Sequence, residues 1–356
     1  MAGAVFRHPR LMANPAASGD ALAEARKFVP QGAAHVEIAI CAAPLQVSFV
    51  LLPKFTMLAF SSAIEPLRMA NQLTQQVLFR WQVLSEDGGP VACSNGVAVL
   101  ADGVWPAAKP EGIILVCSGV EPEGKASQAL GDWLRGLWRR GRIVGGLCTG
   151  AYALARAGIL QGHRFTLHWD NIAGFAENHP ELHPARQVYC IDDRVMTCAG
   201  GVAAADLMLT LIDDRFGAAL SQAVMNMCLL TQRREGADQQ ITSLASRLGT
   251  RHDKLLAAAA WLEARLEEPF DLDACAASLN LSRRQIERLF ARHLGVSPVR
   301  YLNDLRLARG RALLAETDMN VTEVAVACGY ASTSHFSKSF RAKYGTSPHR
   351  FSHFGV

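Results

Sequence analysis

The sequence lacks any apolar run of the kind that a membrane requires. No window approaches the ~18 consecutive apolar residues of a spanning helix, although half of the 356 residues are hydrophobic. The N-terminus also lacks a positive segment followed by an apolar stretch and a small-residue cleavage site, which is the pattern of a secretory leader. We therefore expect a cytoplasmic chain with no membrane partner.

Metal-ligand spacing is a second absence. The nine cysteines include no CxxC pair and no His/Cys arrangement of a metal site. Most of them lie inside apolar runs, such as the "IILVCSGV" of residues 113–120. This placement indicates reduced, mostly buried thiols. We expect neither a bound metal nor another cofactor.

Negative charge is scarce in the last part of the chain. Residues 281–356 hold twelve Lys or Arg against five Asp or Glu, a net charge of +7. Since the whole chain carries +4, the first 280 residues carry −3. A basic C-terminal quarter on a mildly acidic body predicts a polyanion as the partner of that quarter alone.

The order of apolar patterns divides the chain into four parts. Residues 1–43 show no sustained period, and we expect a mobile or poorly defined segment there. Residues 44–232 alternate short apolar runs with helical stretches, which predicts an α/β domain with a mostly parallel sheet and helices on both faces. A polar stretch at 233–252 predicts a linker. Strand patterns are absent from residues 253–351, which predict an all-α domain of seven short helices.

The strongest pattern of the all-α domain is a helix-turn-helix. Ser282 is an N-cap for a helix that turns Ile286 and Phe290 inward at a spacing of four. The other side of this helix presents guanidinium groups and a carboxylate, which match guanine and cytosine edges in a major groove. The candidate DNA-contacting residues of this helix are Arg283, Arg284, Glu287 and Arg288.

The same pattern recurs about fifty residues later. Gly329 supplies the turn, and Ser332 caps a helix whose Phe336 and Phe340 point inward. The candidate base and phosphate contacts of this second helix are Thr333, Ser334, His335, Lys338 and Arg341. An ordinary helical bundle with a solvated arginine face is the alternative, and two capped, basic copies weigh against it.

A single helical stretch, "VRYLNDLRLARGRALLAET", separates the two copies. Its pattern predicts an amphipathic helix with Tyr301, Leu305, Ala308 and Ala312 on one side. We expect this helix to hold the two reading helices at a fixed separation.

The α/β part contains a strand-to-helix turn of the kind that carries a nucleophile. Cys148 is the centre of a Gly-x-Cys-x-Gly in "VGGLCTGAYALARAGIL", between a β-branched run and an alanine-rich helical pattern. At a helix N-terminus, the helix dipole is expected to lower the pKa of a thiol. Catalysis also needs a base, and the candidates are His168 in "FTLHW" and Glu65 in "AIEPLRMAN".

The residues alone leave three interpretations of this turn open. One is a cysteine-dependent hydrolase or amidotransferase that the C-terminal domain tethers to DNA. Another is a redox sensor in which Cys148 is oxidised. The third is a binding crevice, because helix N-termini at the carboxyl edge of a parallel sheet bind anions whether or not chemistry follows.

Both halves of the chain resemble known families. The C-terminal region, including "SRRQIERLF" and "VTEVAVACGYASTSHFSKSFRAKYGTSP", resembles the AraC/XylS-type DNA-binding domain over its whole length. "VGGLCTGAYALARAGILQGHRFTLHW" and "TCAGGVAAADLMLTLI" resemble the ThiJ/PfpI-like, class I glutamine amidotransferase-like domain, in the version found in GlxA-like regulators. The resemblance implies two helix-turn-helix units that read successive major-groove segments of promoter DNA.

The resemblance also implies a sensor rather than an enzyme. PfpI-type peptidases carry His directly after the cysteine, where this chain has Thr149. "EPLRMAN" and "HWDN" resemble the regulators that answer to glycine betaine, carnitine, arginine and similar small nitrogen compounds. The residues implied to bind such a ligand are Cys148, Thr149, Glu65, His168 and Trp169. For a quaternary ammonium, Trp169, Phe55 or Trp81 would supply an aromatic cage. Our leading hypothesis is an activator that acts with RNA polymerase and forms a homodimer through the α/β domain.

Overall fold

The computed structural model describes residues 27–37, 43–108, 110–240 and 244–352. The chain divides into two compact units, Met1–Ile172 with His179–Gln240 and Ala173–Asn178 with Ile241–Val356. None of the helices in the described residues combines the length and apolar character that crossing a bilayer requires. Of the poorly defined segment expected at 1–43, residues 1–26 and 38–42 lie outside the described residues. In the described remainder, Phe28 is buried and its ring lies edge-on to Trp81 at 4.9 Å.

A mostly parallel sheet forms the centre of the first unit. The strands are β1 (Leu45–Leu51), β2 (Phe79–Ser85), β3 (Val91–Ala92), β4 (Ala98–Val99), β5 (Gly103–Val104), β6 (Ile113–Cys117), β7 (Ile143–Leu147), β8 (Tyr189–Asp192) and β9 (Val195–Cys198). Seven of these strands, as far as the structure is described, pair in the order β5-β2-β1-β6-β7-β9-β8. The pairs are parallel except β9 with β8, which confirms the predicted α/β class.

Six α-helices lie between residues 57 and 227 of the described chain, and all but the fourth, whose residues 173–178 belong to the second unit, pack within the first unit. They are α1 (Met57–Thr74), α2 (Gln128–Arg139), α3 (Ala151–Arg156), α4 (Ile172–Asn178), α5 (Ala203–Phe216) and α6 (Ala218–Met227). Helices α1, α5 and α6 pack on one another over the face of β1 that carries Phe49, whereas α2 and α3 pack on each other and on β7. Val50 points to the other face of β1 and is equally buried, so both faces of the central strands are covered.

The second unit is entirely helical within the described residues. Besides residues 173–178 of α4, its helices are α7 (Leu244–Arg247), α8 (Asp253–Glu263), α9 (Leu272–Ser278), α10 (Arg283–Leu294), α11 (Pro298–Glu316), α12 (Val321–Ala327), α13 (Thr333–Tyr344) and α14 (Pro348–Ser352). The last seven of these confirm the predicted all-α domain. One apolar cluster joins α8, α9 and α10, and a second joins α12 and α13, while α11 contributes Leu302 to the first and Leu307 to the second.

The connecting helix α11 buries a different side from the one that we predicted. Ala308 is exposed, whereas Leu302, Arg306, Gly310 and Leu313 are buried. The predicted side was wrong because α11 packs against two separate apolar clusters, and each cluster covers a different part of the helix. Gly310 lies against a ring, since a Cβ at this position would be 2.7 Å from Cε2 of Phe336.

Candidate nucleic-acid interface and thiol elbow

The first reading helix, α10, is held by local and tertiary contacts. The Ser282 side chain accepts a hydrogen bond from the backbone N–H of Gln285 at 3.3 Å, and the Gln285 side chain accepts one from the Ser282 N–H at 2.7 Å. This reciprocal capping box begins the helix. Ile286 and Phe290 are fully buried and fix the rotation of the helix about its axis. The opposite side of α10 is therefore presented to solvent in one orientation.

The four polar candidates on α10 are all exposed, but they are not equivalent. Arg283 forms an ion pair with Glu287 at 3.2 Å and a second with Asp273 at 3.6 Å. Arg284 and Arg288 have no ion pair among the described residues. Because these two lie four positions apart, their guanidinium groups project from the same side of the helix. Of the four candidates, Arg284 and Arg288 are therefore the side chains that are free to bind a guanine edge.

The second reading helix, α13, presents a different chemistry. Ser332 caps it by accepting a hydrogen bond from the N–H of His335 at 3.3 Å, and Phe336 and Phe340 are fully buried. Ser334, His335, Lys338 and Arg341 are exposed, and Thr333 is half-buried beside Thr322. A surface groove of about 630 Å³ runs beside this helix and is lined by Ser337, Lys338, Arg341, Ala342 and Ser347. Hydroxyl, ammonium and guanidinium groups along one groove suit the phosphates of a DNA backbone.

Cys148 lies in a sharp strand-to-helix turn in the first unit. The strand β7 ends at Leu147 and α3 begins at Ala151, and Cys148 between them has a left-handed backbone with φ of 59°. Such a conformation in a non-glycine residue is strained and is concentrated at functional sites. Gly150 allows the close approach of the turn to the sheet, since a Cβ there would be 2.3 Å from the carbonyl oxygen of Val116. We call residues 147–150 the elbow.

The thiol of the elbow is enclosed by parts of the chain that are far apart in sequence. Thr56, at the start of α1, donates its hydroxyl to Cys148 Sγ at 3.6 Å. The Cys148 N–H donates to the carbonyl of Cys198 at 3.1 Å, and the His168 N–H donates to the carbonyl of Cys148 at 3.3 Å. On the remaining side, Gly200 is so close that a Cβ there would be 2.6 Å from Cys148 Cβ. Cys148 is consequently only 6% exposed.

Burial decides the ionisation of the elbow. It raises the pKa of the Cys148 thiol, and this effect outweighs the Thr56 hydroxyl and the Thr149 N–H, which lower the pKa. The expected lowering of this pKa by the helix dipole was therefore wrong in its net direction. Burial also lowers the pKa of His168, so that the imidazole is neutral near pH 7. Neither the thiolate nor the imidazolium of a reactive Cys–His pair is favoured here.

We expect Cys148 to react slowly with alkylating agents. Because its pKa is raised, the thiol is protonated at neutral pH and ionises only as the pH rises above the ordinary thiol value of 9.0. Iodoacetamide labelling of the native chain, followed by peptide mass spectrometry, should be slower at Cys148 than for glutathione from about pH 6 to about pH 9 and should increase throughout that range. Rapid labelling with a plateau below pH 7 would contradict this assignment.

Three helices begin around the elbow, and none of them has a side-chain cap. These are α1 after Thr56, α3 after Gly150 and α5 after Val202, all three without a capping hydrogen bond from the N-cap side chain. The helices α8 to α13 of the second unit are all capped in this way. Backbone carbonyls of the preceding turn accept from the Tyr152 N–H of α3 and the Ala203 N–H of α5, so these N-termini contribute mainly their partial positive charge. The elbow is therefore suited to bind an anion.

Exposed apolar side chains surround the elbow. Trp169 follows His168, Val120 follows Gly119, and Val202 and Leu58 lie two positions after Gly200 and Thr56; all four are among the exposed large apolar residues. Leu58 and the chain before Val202 are close, since a Cβ at Gly201 would be 3.9 Å from Leu58 Cδ2. We call these four side chains the apolar rim.

Of the other predicted ligand residues, Thr149 lies in the elbow and Glu65 lies away from it. Thr149 is fully buried and donates its hydroxyl to the Gly119 carbonyl at 2.6 Å, so it ties the elbow to the loop after β6. Glu65 pairs with Arg68 at 2.7 Å and lies nine positions after Thr56, or ~14 Å along α1. The structure does not bring Glu65 to Cys148.

Of the three aromatic candidates for a cage, Phe55 was wrong and Trp81 stays a prediction. Phe55 is completely buried in the core, and Trp81 is a β2 residue whose ring contacts Phe28. Trp169 is 49% exposed, and its ring lies 5.5 Å from that of His168. Thr56 was not predicted as a site residue, although its side chain hydrogen-bonds the thiol. Its only signal was its position directly before an apolar helical pattern.

Comparison with known proteins places both halves of the chain. A model described as a helix-turn-helix domain matches residues 275–353, and one described as the DJ-1/PfpI family matches residues 46–214. The HTH-type transcriptional regulator GbdR of Pseudomonas aeruginosa (strain UCBPP-PA14) is 42% identical over 86% of this chain and 83% of GbdR. The HTH-type transcriptional regulator CdhR of Pseudomonas aeruginosa is 42% identical over 84% of this chain and 89% of its own length. The HTH-type transcriptional regulator GlxA of Rhizobium meliloti (strain 1021) is 34% identical over 85% of this chain and 94% of its own length.

Proposed function

The chain belongs to the family of HTH-type transcriptional regulators that includes GbdR, CdhR and GlxA. We propose that its DNA-binding activity is controlled by a small zwitterionic nitrogen metabolite that binds at the elbow. Its helix-turn-helix domain makes it a DNA-binding transcriptional regulator, which confirms that prediction. The curated relatives are named as regulators, so the alternative of a hydrolase or amidotransferase is not supported.

The convergence of three uncapped helix N-termini on Cys148 is the observation that carries the proposal. The partial positive charges of α1, α3 and α5 meet there, and α1 and α3 have no acidic residue in their first turns. The single acidic residue at the start of α5, Asp206, is paired with Arg234 at 2.7 Å. A positive field of this kind favours a carboxylate.

The apolar rim supports a ligand whose other end is a substituted ammonium. Methyl or alkyl groups on nitrogen bury well against Leu58, Val120 and Val202, and a cation is attracted to the exposed face of Trp169. Glycine betaine and carnitine combine such an ammonium with a carboxylate, and an amino acid such as arginine combines a carboxylate with cationic groups. The ligand class is thus a small betaine-like or amino-acid-like zwitterion.

The chemistry of the elbow favours binding over catalysis. The hydrogen-bond partner of the Cys148 thiol is a hydroxyl, that of Thr56, and a hydroxyl is too weak a base to activate a thiol. The Thr149 hydroxyl is committed to the Gly119 carbonyl. We propose that bound effector alters how α10 and α13 engage promoter DNA, that the regulator is an activator acting with RNA polymerase, and that it is a homodimer.

The proposal is tested by thermal unfolding of the full chain with chosen zwitterions. Glycine betaine, L-carnitine and L-arginine are added one at a time, and at about 100 times its dissociation constant a true ligand stabilises the chain by ~2.7 kcal/mol. We expect at least one of them to raise the melting temperature. Choline is the matched control, because it keeps the quaternary ammonium and lacks the carboxylate; an equal shift with choline would overturn the role of the helix N-termini.

A variant of the rim tests the location of the site. Trp169→Ala should weaken binding of the zwitterion that stabilises the wild-type chain, because a cation over an aromatic face contributes ~0.5–2 kcal/mol to binding. Leu229→Ala is the control, since Leu229 is an exposed apolar residue that follows α6 and is not part of the rim. Equal ligand affinity in the wild-type chain and the Trp169 variant would exclude the apolar rim as the binding surface.

A further inference from the structure

Residues 233–240, the first part of the predicted linker, lie along the first unit. The Val188 N–H donates to the carbonyl of Asp238 at 2.9 Å, and the Gln240 N–H donates to the carbonyl of Arg186 at 3.1 Å. These bonds flank an antiparallel bridge between Gln187 and Gln239. We call residues 233–240 the strap, because they extend the stretch before β8 by a short strand-like pairing.

The first anchor of the strap is an ion pair between Arg234 and the buried carboxylate of Asp206. Arg234 donates its backbone N–H to Asp206 at 3.0 Å and its Nε at 2.8 Å. Asp206 is 3% exposed and lies in the first turn of α5, the helix that begins three positions after Gly200. A buried carboxylate with a matched guanidinium strongly resists loss of its partner. The strap is therefore tied to a helix whose N-terminus faces the elbow.

The second anchor is the side chain of Gln240. Its Nε2 lies 2.7 Å from Thr166 Oγ1, 2.8 Å from the Leu167 carbonyl and 2.9 Å from the Gln187 carbonyl. Leu167 precedes His168, whose N–H donates to the Cys148 carbonyl. The carbonyl that Gln240 binds and the N–H that contacts the elbow therefore belong to the same planar peptide unit.

The second anchor also contains an unsatisfied atom. Gln240 Oε1 is buried and has no hydrogen-bond partner among the described residues. An acceptor buried without a partner lowers the net gain from closing the anchor, because its hydration is lost without replacement. The Gln240 end of the strap is therefore easier to open than its neighbouring hydrogen bonds suggest.

We propose that the strap is the element that connects the elbow to the DNA-binding unit. When Gln240 is docked, the chain leaves the first unit at residue 240; when the strap is released, it leaves near Arg233. Release frees residues 234–240, which reach at most ~25 Å, and so lengthens the free connection to the second unit. Control of this release by an effector at the elbow rests on the proposed function. The mechanical link between Gln240 and the elbow does not depend on it.

The link is tested in the full chain without any effector. Gln240→Ala is compared with Gln239→Ala, which removes an amide from the adjacent and exposed position of the same strap. In the Gln240 variant, hydrogen exchange of the Val188 amide should become about tenfold faster, since its partner Asp238 is released with the strap. Iodoacetamide labelling of Cys148 should become severalfold faster because the Leu167–His168 segment loosens. The Gln239 variant should match the wild-type chain in both measurements.

Each result decides the proposal. Unchanged Val188 exchange in the Gln240 variant would show that the strap does not depend on this side chain. Faster Val188 exchange with unchanged Cys148 labelling would show that the strap and the elbow are independent. If Gln240→Ala does not fold, Arg234→Gln releases the other anchor and must produce the same two changes. A failure of glycine betaine, L-carnitine and L-arginine to bind would contradict the proposed function and leave these results standing.

Discussion

Replacing Arg284 and Arg288 together by alanine is expected to remove most of the sequence specificity of DNA binding. Both guanidinium groups are exposed on α10 and have no ion pair in the described part of the chain, so no internal bond competes with a base edge. A well-placed Arg–guanine contact is worth ~1–3 kcal/mol of discrimination. Loss of two such contacts should weaken binding to the specific site by at least about 30-fold, while binding to unrelated DNA falls much less. Fluorescence anisotropy with specific and scrambled duplexes at one fixed salt concentration measures both.

The matched control removes the same charge from the other unit. Arg139 and Arg140 are exposed at the end of α2, and their double alanine variant should retain the specificity ratio of the wild-type chain. A second comparison is Arg283→Ala, whose ion pairs with Glu287 and Asp273 reduce its availability to DNA. Equal losses of specificity in the α10 double variant and the α2 double variant would exclude α10 as the base-reading helix.

Gly200→Ala is expected to have the largest effect on the first unit. Gly200 has a φ of +85°, and its Cβ would be 2.6 Å from Cys148 Cβ. A left-handed alanine costs ~1–2 kcal/mol, and the overpacking against the elbow adds ~1–3 kcal/mol. The expected loss of ~2–5 kcal/mol corresponds to a decrease in melting temperature of roughly 4–20 °C. Because the elbow must shift to accept the new methyl group, we also expect the response to zwitterions to disappear.

The neighbouring glycine separates strain from clash. Gly201 is also left-handed, with a φ of +55°, but a Cβ there meets only Leu58 Cδ2, at 3.9 Å. Gly201→Ala should therefore lose only the conformational cost of ~1–2 kcal/mol and keep an intact elbow. Differential scanning fluorimetry of both variants, with and without the responding zwitterion, makes the comparison. If the two variants are equally destabilised, the clash with Cys148 does not add to the destabilisation of Gly200→Ala.

The DNA-binding unit was predictable from its sequence to a large degree. Ser282 and Ser332 cap α10 and α13 through residues three positions away, and Phe290 and Phe340 are buried at the predicted spacing. Capping residues and apolar spacings of three or four positions can be recognised in a short window of sequence. The side of α11 that is buried was not predictable, because two separate clusters share this helix and a glycine, Gly310, occupies part of the contact.

The elbow was predictable in outline and not in detail. The strand, the turn and the helix around Cys148 follow from the local pattern. The partner of the thiol, Thr56, lies 92 residues away in the sequence, and the glycine that closes the site is Gly200. The sequence did not show which aromatic side chains are exposed at the site, since Phe55 is buried and Trp169 is exposed.

The sequence by itself determined the two classes of domain, the two capped reading helices and the turn at Cys148. These depend on hydrophobic period, turn residues and hydrogen bonds between near neighbours, all of which a short stretch of chain contains. Only the tertiary structure decided that three helix N-termini converge on the elbow, that the thiol is protonated, and that Gln240 ties the strap beside it. Desolvation and the sum of several dipoles depend on which distant segments cover a group, and that information exists only once the chain has folded.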